Sequence, residues 1–291
     1  MLDLDQVLEI YESVGHRNSQ LFRWLHEHLY TKLRLSSVPS FFMEDLRLLK
    51  TKSAVFITLV DDIADNQQFR DKNLLNALIE IPFRDKPDSI DSDYYRATWE
   101  IWSDIKKTME KYPRYSEFKH VLEFDLKLAM MSQEYSIMVN TDRSVANVVE
   151  NEIYGPHGTL VMAQGTIDLM CSPGFDIKEL GLLREILMIG QKVAQLCNMI
   201  NTYLREIDEE DISSPIIINA LLENPDVEIK ELKNNGHDFF EQLEEQFENT
   251  VQNHLYDIKD FASNLKTINV VNYAETMNAI WEDYKVRVPF N

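Results

Sequence analysis

The sequence predicts an all-α fold, and three observations carry the prediction. Apolar residues recur at i, i+3, i+4 spacing along almost the whole chain, and no stretch of strict alternation competes. Glycine (8) and proline (9) are scarce for 291 residues, while Met, Leu, Ile, Glu and Lys dominate, which favours helices over a turn-rich β chain. The connectors are short, and none has linker composition.

Taken in order, the periodicity places helices at about 4–14, 18–33, 42–66, 72–81, 92–111, 114–139, 145–155, 158–171, 177–207, 214–223, 228–262 and 269–285. "SSVPS" at 36–40 separates the second helix from the third, and "FRDKPDSID" at 83–91 separates the fourth from the fifth. Gly155, Pro156 and Gly158 interrupt the stretch "NEIYGPHGTLVMAQGTIDLM", because proline removes a backbone donor and turns its predecessor away from helix. The interruption reads either as a loop between two short helices or as a helix broken inside the bundle beside a cavity. "CSPGF" at 171–175 ends the next helix, and "DEEDISSP" at 208–215 ends the long one. With no internal repeat and no low-complexity segment, residues 1–291 are expected to form one large all-α helical bundle.

Lys and Arg number 29 against 49 Asp and Glu, a formal net charge of −20. Such a chain is a poor general nucleic-acid binder and is repelled by anionic membrane surfaces. An anionic ligand would need a local device to overcome that field, and bound divalent cations supply one. No apolar run reaches membrane-spanning length, so no stable membrane insertion is expected. The N-terminus "MLDLDQVLEIYES" is acidic and amphipathic, unlike a signal peptide. Cys171 and Cys197 sit in apolar surroundings without a C-x-x-C pair, and read as reduced, buried thiols of a cytoplasmic protein.

The stretch "SAVFITLVDDIADNQQ" ends a core-like helix in three carboxylates. Asp61 and Asp65 are four apart and share a face, with Asp62 one step round. Like charges at this spacing repel, and the macrodipole opposes them near a helix C-terminus. The cluster is therefore either a solvated acidic helix end or a site for hard cations such as Mg²⁺, which takes one or two carboxylates and fills its shell with water and phosphate. A second row favours the cation. Asn198, Thr202 and Glu206 lie at i, i+4 and i+8, so an amide oxygen, a hydroxyl and a carboxylate project from one helix face. Arg205 beside them suits a phosphate. For this composition, D-D-x-x-D and N-x₃-[S/T]-x₃-E arise together by chance with a probability of about 0.02.

Asp61-Asp62-Ile63-Ala64-Asp65 resembles the aspartate-rich motif of class I terpene synthases, and Asn198-x₃-Thr202-x₃-Glu206 resembles their second metal motif. Order, a separation of about 135 residues, length and helical character are also similar to bacterial members. The segment "NEIYGPHGTLVMAQ" looks like the broken helix those enzymes place across the pocket. Its start, together with "NALLENP", looks most like bacterial diterpene cyclases of the ent-kaurene synthase kind. The chain departs from the pattern in three places. Glu152 stands where many members have a diphosphate-sensing arginine, Met199 follows Asn198 where aspartate is common, and "WEDYKVRVPFN" replaces a terminal Arg-Tyr pair.

The resemblance implies a single-domain antiparallel α-helical bundle with a central active-site cavity, and a lyase that ionises a prenyl diphosphate and cyclises or rearranges the carbocation to a hydrocarbon or alcohol. Geranylgeranyl or copalyl-type C20 diphosphate is favoured, with C15 farnesyl diphosphate as the alternative. It implies three Mg²⁺ ions held by Asp61, Asp65, Asn198, Thr202 and Glu206, with Asp62 orienting Arg205 or another donor. Arg205, Lys285 and Arg287 become diphosphate-binding candidates, and homodimers are common in such families. Phe56, Tyr154, His157, Met162, Gln164, Asn201, Trp281 and Tyr284 are pocket candidates. The aromatic faces would stabilise a cation and His157 would take the final proton, with plain core packing the alternative for each. A trans-prenyltransferase shares the first motif, but "DEEDIS" lacks the second aspartate-rich pattern it needs. A non-catalytic acidic helical scaffold is the alternative from a different class.

Overall fold

The computed structural model describes residues 1–223, 227–235 and 237–287, with side chains at all of these except 234–235, 237–239 and 287. Among the described residues every regular element is helical. α1 (Leu4–Glu12) opens with a reciprocal capping box, in which Asp3 accepts from the Gln6 N–H and the Gln6 carboxamide accepts from the Asp3 N–H. α2 (Gln20–Trp24) passes through a π turn (Leu25–Leu29) into α3 (Tyr30–Lys32), where the periodicity alone reads one helix. α4 (Met43–Asp65), α5 (Lys72–Glu80), α6 (Asp93–Met109) and α7 (Tyr115–Thr141) follow, with Asp71 capping α5 and Ser92 capping α6.

α8 (Val148–Tyr154) starts three residues later than its apolar pattern suggests, because the Asn147 side chain caps it by accepting from the Glu150 N–H. A 3₁₀ stretch (Gly155–Thr159) and Leu160, in the left-handed region at φ 60°, then break the helix before α9 (Val161–Met170). α10 (Leu180–Glu209) is the longest helix described, and α11 (Pro215–Glu223) follows it. The stretch expected as one helix at 228–262 opens instead with a 3₁₀ turn (Ile229–Glu231), followed by α12 (Leu232–Asn235) and α13 (His237–Asp260), and α14 (Val270–Arg287) ends the described chain.

Buried apolar residues form one contiguous core that runs from Val7 to Trp281. α4 packs on α6 and α7, while α10 packs on α9, α13, α14 and the 3₁₀ break. Two buried lysines tie α4 to its neighbours. The Lys50 ammonium lies 2.7 Å from the Asp168 carboxylate of α9, and that of Lys52 lies 2.6 Å from Asp104 of α6. Among the described residues no helix is long and apolar enough to cross a membrane.

Candidate active site

A cavity of about 240 Å³ opens between α2–α3, α4, α7, the 3₁₀ break, α10 and α14. α4 lines it with Ala54, Ile57, Thr58, Asp61 and Asp65, a helical repeat that carries the apolar face directly into the carboxylates. α10 contributes Ala194, Asn198, Arg205 and Glu206 to the wall. Leu21, Leu25 and Leu29, one turn apart, face them from the N-terminal segment, with Met277, Ile280 and Tyr284 on α14.

The two acidic helix ends meet at one rim. The Gln67 N–H, just beyond α4, donates to the Glu209 carbonyl at the end of α10 over 3.1 Å. Arg70 then reaches back to donate to the Ala64 and Asp65 carbonyls and to the Asn140 carbonyl of α7. It covers orphan carbonyls and brings positive charge to an end where the macrodipole disfavours aspartate. Arg17, from the loop between α1 and α2, supplies more: its Nε donates to Asp62 over 2.6 Å and its Nη2 donates to Asp61. The unfavourable helix end is thus offset by two arginines from other segments.

The chain leaves α10 through Glu210, at φ 55°, with the Asp211 N–H donating to the Glu206 carbonyl over 2.9 Å. That reversal turns Asp211 back onto the cavity wall near Asp65 and Glu206. The Ser136 hydroxyl donates to Asp65, the Ser213 hydroxyl donates to Asp211 over 2.6 Å, and the two hydroxyl oxygens stand 2.7 Å apart. Asn140 holds the loop by donating to Asp211 over 2.9 Å and accepting from the Ile212 N–H over 2.6 Å.

Burial sets the electrostatics of this group. Asp65 is pushed well above the usual carboxylate range by desolvation, then by Asp211 and Asp61. Glu206 is pushed up to about 7 by burial, against the pull of Arg205 and with the push of Asp211. Asp211 is raised by burial as well. Asp61, Asp65, Glu206 and Asp211 therefore concentrate oxygen donors that repel one another at the cavity rim, a donor set that suits hard divalent cations. Among the described residues no three His, Cys, Asp or Glu side chains already stand at metal-binding spacing.

Asp61, Asp65, Asn198, Arg205, Glu206, Gln164 and Tyr284 all line the cavity. Asp62 is not on the wall but lies buried behind it, paired to Arg17 rather than to Arg205. Thr202 is also off the wall. Its hydroxyl sits 3.0 Å from the Asn198 carbonyl and bonds Glu206, the habit of a helical threonine turned back along its own helix. The Arg205 guanidinium donates to Glu209.

The structure places the remaining described candidates away from the cavity wall. Phe56 packs on Trp102 with ring centres 4.8 Å apart, on the α6 side of α4; five residues from Asp61 is about 140° around a helix, away from the cavity face. His157 is buried and bonds the Gln191 carboxamide across 2.9 Å, while the Met162 N–H donates to the other end of that carboxamide over 3.0 Å. Both residues fasten the broken helix to α10 instead of facing the cavity, and burial lowers the His157 pKa. Tyr154 stacks obliquely on Tyr135 at 5.3 Å, and it is Tyr135 that reaches the wall. Asn201 donates to the Cys197 carbonyl over 3.2 Å, and Trp281 is buried in the core without reaching the wall. Lys285 pairs with Glu248 at 2.8 Å, away from the cavity. The Arg287 side chain and residues 224–225 of "NALLENP" lie outside the described set.

Arg17, Arg70, Ser136, Asn140 and Asp211 are site residues that motif spacing does not reveal. Only Asp211 had a sequence signal, its place just after the second motif in an acidic turn. No protein-family model matches the chain, and no curated protein matches its sequence.

Proposed function

We propose that the chain is a Mg²⁺-dependent class I terpene cyclase, with the single α-helical domain of that enzyme class, acting in the cytoplasm. The observation that carries this reading is the shared rim: carboxylates from the ends of α4 and α10 face one cavity that Leu21, Leu25, Leu29, Ile57, Leu160 and Ile280 line on its apolar side. An acidic scaffold has no need of that cavity, and a chain-elongating enzyme needs a second aspartate-rich motif.

Asp61, Asp65, Asn198 and Glu206 would hold the Mg²⁺ ions, with Asp211 as a further oxygen donor beside them. When bound, the ions supply Lewis acidity and neutralise a leaving diphosphate. The chain's own residues do the rest. Thr202 fixes the orientation of Glu206, and the Ser136–Ser213 pair fixes Asp65 and Asp211. Leu21, Leu25, Leu29, Ile57, Leu160 and Ile280 exclude water from the cavity. Tyr284, held edge-on to Trp24 at 5.3 Å, presents an aromatic ring to a cation without offering a strong nucleophile.

The substrate is a prenyl diphosphate, C20 in preference to C15. Incubation with geranyl, farnesyl, geranylgeranyl and copalyl diphosphates, followed by gas chromatography, tests this. The expected result is a Mg²⁺-dependent hydrocarbon or alcohol from a single allylic diphosphate, strongest with a C20 substrate. Absence of product from every substrate, or a requirement for isopentenyl diphosphate, overturns it.

A further inference from the structure

The cavity of this acidic chain has few cations with which to meet an anion. Glu152 occupies the position where a sensing arginine is usual, and it points to solvent on α8. Among the described residues two guanidinium groups line the cavity, Arg17 and Arg205, and Arg205 is engaged by Glu209 on its own helix. Arg17 arrives from outside both motifs, and its loop is held in place. The Arg17 N–H donates to the Tyr11 hydroxyl over 2.9 Å, and the adjacent His16 ring stacks flat on Phe69 at 3.4 Å.

The two partners of Arg17 differ in a way that matters. Asp62 is buried, with 3% of its side chain exposed, so it needs a permanent countercharge. Asp61 keeps 27% of its side chain exposed and faces the cavity. A divalent cation on Asp61 would compete directly with the Nη2 contact, whereas the Nε contact to Asp62 would be untouched. A guanidinium has five N–H donors in a planar fork, so Nε can stay on one carboxylate while the Nη groups turn to another anion.

We propose that Arg17 is a diphosphate-binding residue of this chain, anchored by Asp62 and masked by Asp61 until a divalent cation takes Asp61. Occupation of Asp61 by a divalent cation releases the Nη end of Arg17, which then donates to a phosphate oxygen at the cavity rim. The proposal rests on the cyclase reading for the class of ligand, and it assigns to the α1–α2 loop the role left open by Glu152.

Titration calorimetry on the full chain tests it, with Mg²⁺ alone and then with inorganic pyrophosphate in Mg²⁺. The variants are Arg17→Gln and the double variant Arg17→Gln/Asp62→Asn, which removes the buried carboxylate that the single change leaves unpaired. Circular dichroism establishes that each is folded. Pyrophosphate affinity is expected to fall about tenfold or more in both, the worth of a lost charge-assisted hydrogen bond. Mg²⁺ alone is expected to bind more tightly to Arg17→Gln, because its competitor for Asp61 is gone. Unchanged pyrophosphate affinity in the folded double variant overturns the proposal and leaves the cyclase reading standing. A wild-type chain that binds no pyrophosphate in Mg²⁺ overturns both.

Discussion

Asp61 and Glu206 are the residues on which the proposed chemistry turns. Asp61→Asn and Glu206→Gln are each expected to lower Mg²⁺-dependent diphosphate release by about 100-fold or more, because each removes a charged oxygen from the cation site. Glu206 also makes metal-free stability depend on pH. Its folded pKa, about 7, lies above its ordinary value of 4.5 because burial disfavours the charged form. The folded state therefore carries no penalty below about 4.5, an increasing one as pH rises toward 7, and the full one above. In chelator, thermal stability should fall between pH 5 and pH 8, and Glu206→Gln should flatten that slope. An equal slope in the variant would assign the pH dependence to other groups. At the same scale, Phe56 shows how a residue can be near a motif in sequence and yet face the opposite side of its helix.

Among the elements, α4 is held by charge as well as by apolar packing. Lys50 donates to the Leu33 carbonyl at 2.8 Å and pairs with Asp168, which also accepts from the Leu35 N–H over 2.8 Å, so one buried ion pair joins α4, α9 and the connector after α3. Lys50→Met should cost about 3–5 kcal/mol in denaturant unfolding, since it leaves Asp168 buried without its countercharge, and Lys50→Met/Asp168→Asn should recover much of that loss. The crossing of α10 and α14 depends on Gly190. A methyl group there would stand 2.4 Å from the hydroxyl of buried Tyr273, so Gly190→Ala should destabilise by about 1–3 kcal/mol in the same measurement. The broken helix belongs to this scale too. Gln191 reaches from α10 to the break itself at His157 and to the first turn of α9 at the Met162 N–H, while Gly155, Gly158 and Leu160 line the cavity.

For the whole molecule, the decisive feature is that two helix ends distant in sequence share one rim of an acidic chain. Asp61, Asp65, Glu206 and Asp211 repel one another at that rim, and on the proposed reading bound cations would relieve the repulsion. Mg²⁺ with pyrophosphate should therefore raise the melting temperature, by about 5 °C at a ligand concentration 100 times Kd, the shift expected from binding to the folded state alone. No shift in wild type would count against the cation site itself.

The sequence by itself determined the helical class, nearly every helix to within a few residues, and the two rows of oxygen-bearing side chains that share a helix face. All of these depend on spacing along one helix, and a period of 3.6 residues is legible without knowledge of neighbours. Only the tertiary structure decided which side chains share the cavity. Arg17, Ser136 and Asp211 reach it from a loop, α7 and a helix reversal, braced by Arg70 and Asn140, and no local period encodes such meetings. For the same reason His157, Trp281 and Lys285 carry suitable chemistry yet do not reach the cavity. Burial and pairing with Gln191, the core and Glu248 were settled by packing between segments far apart in the chain.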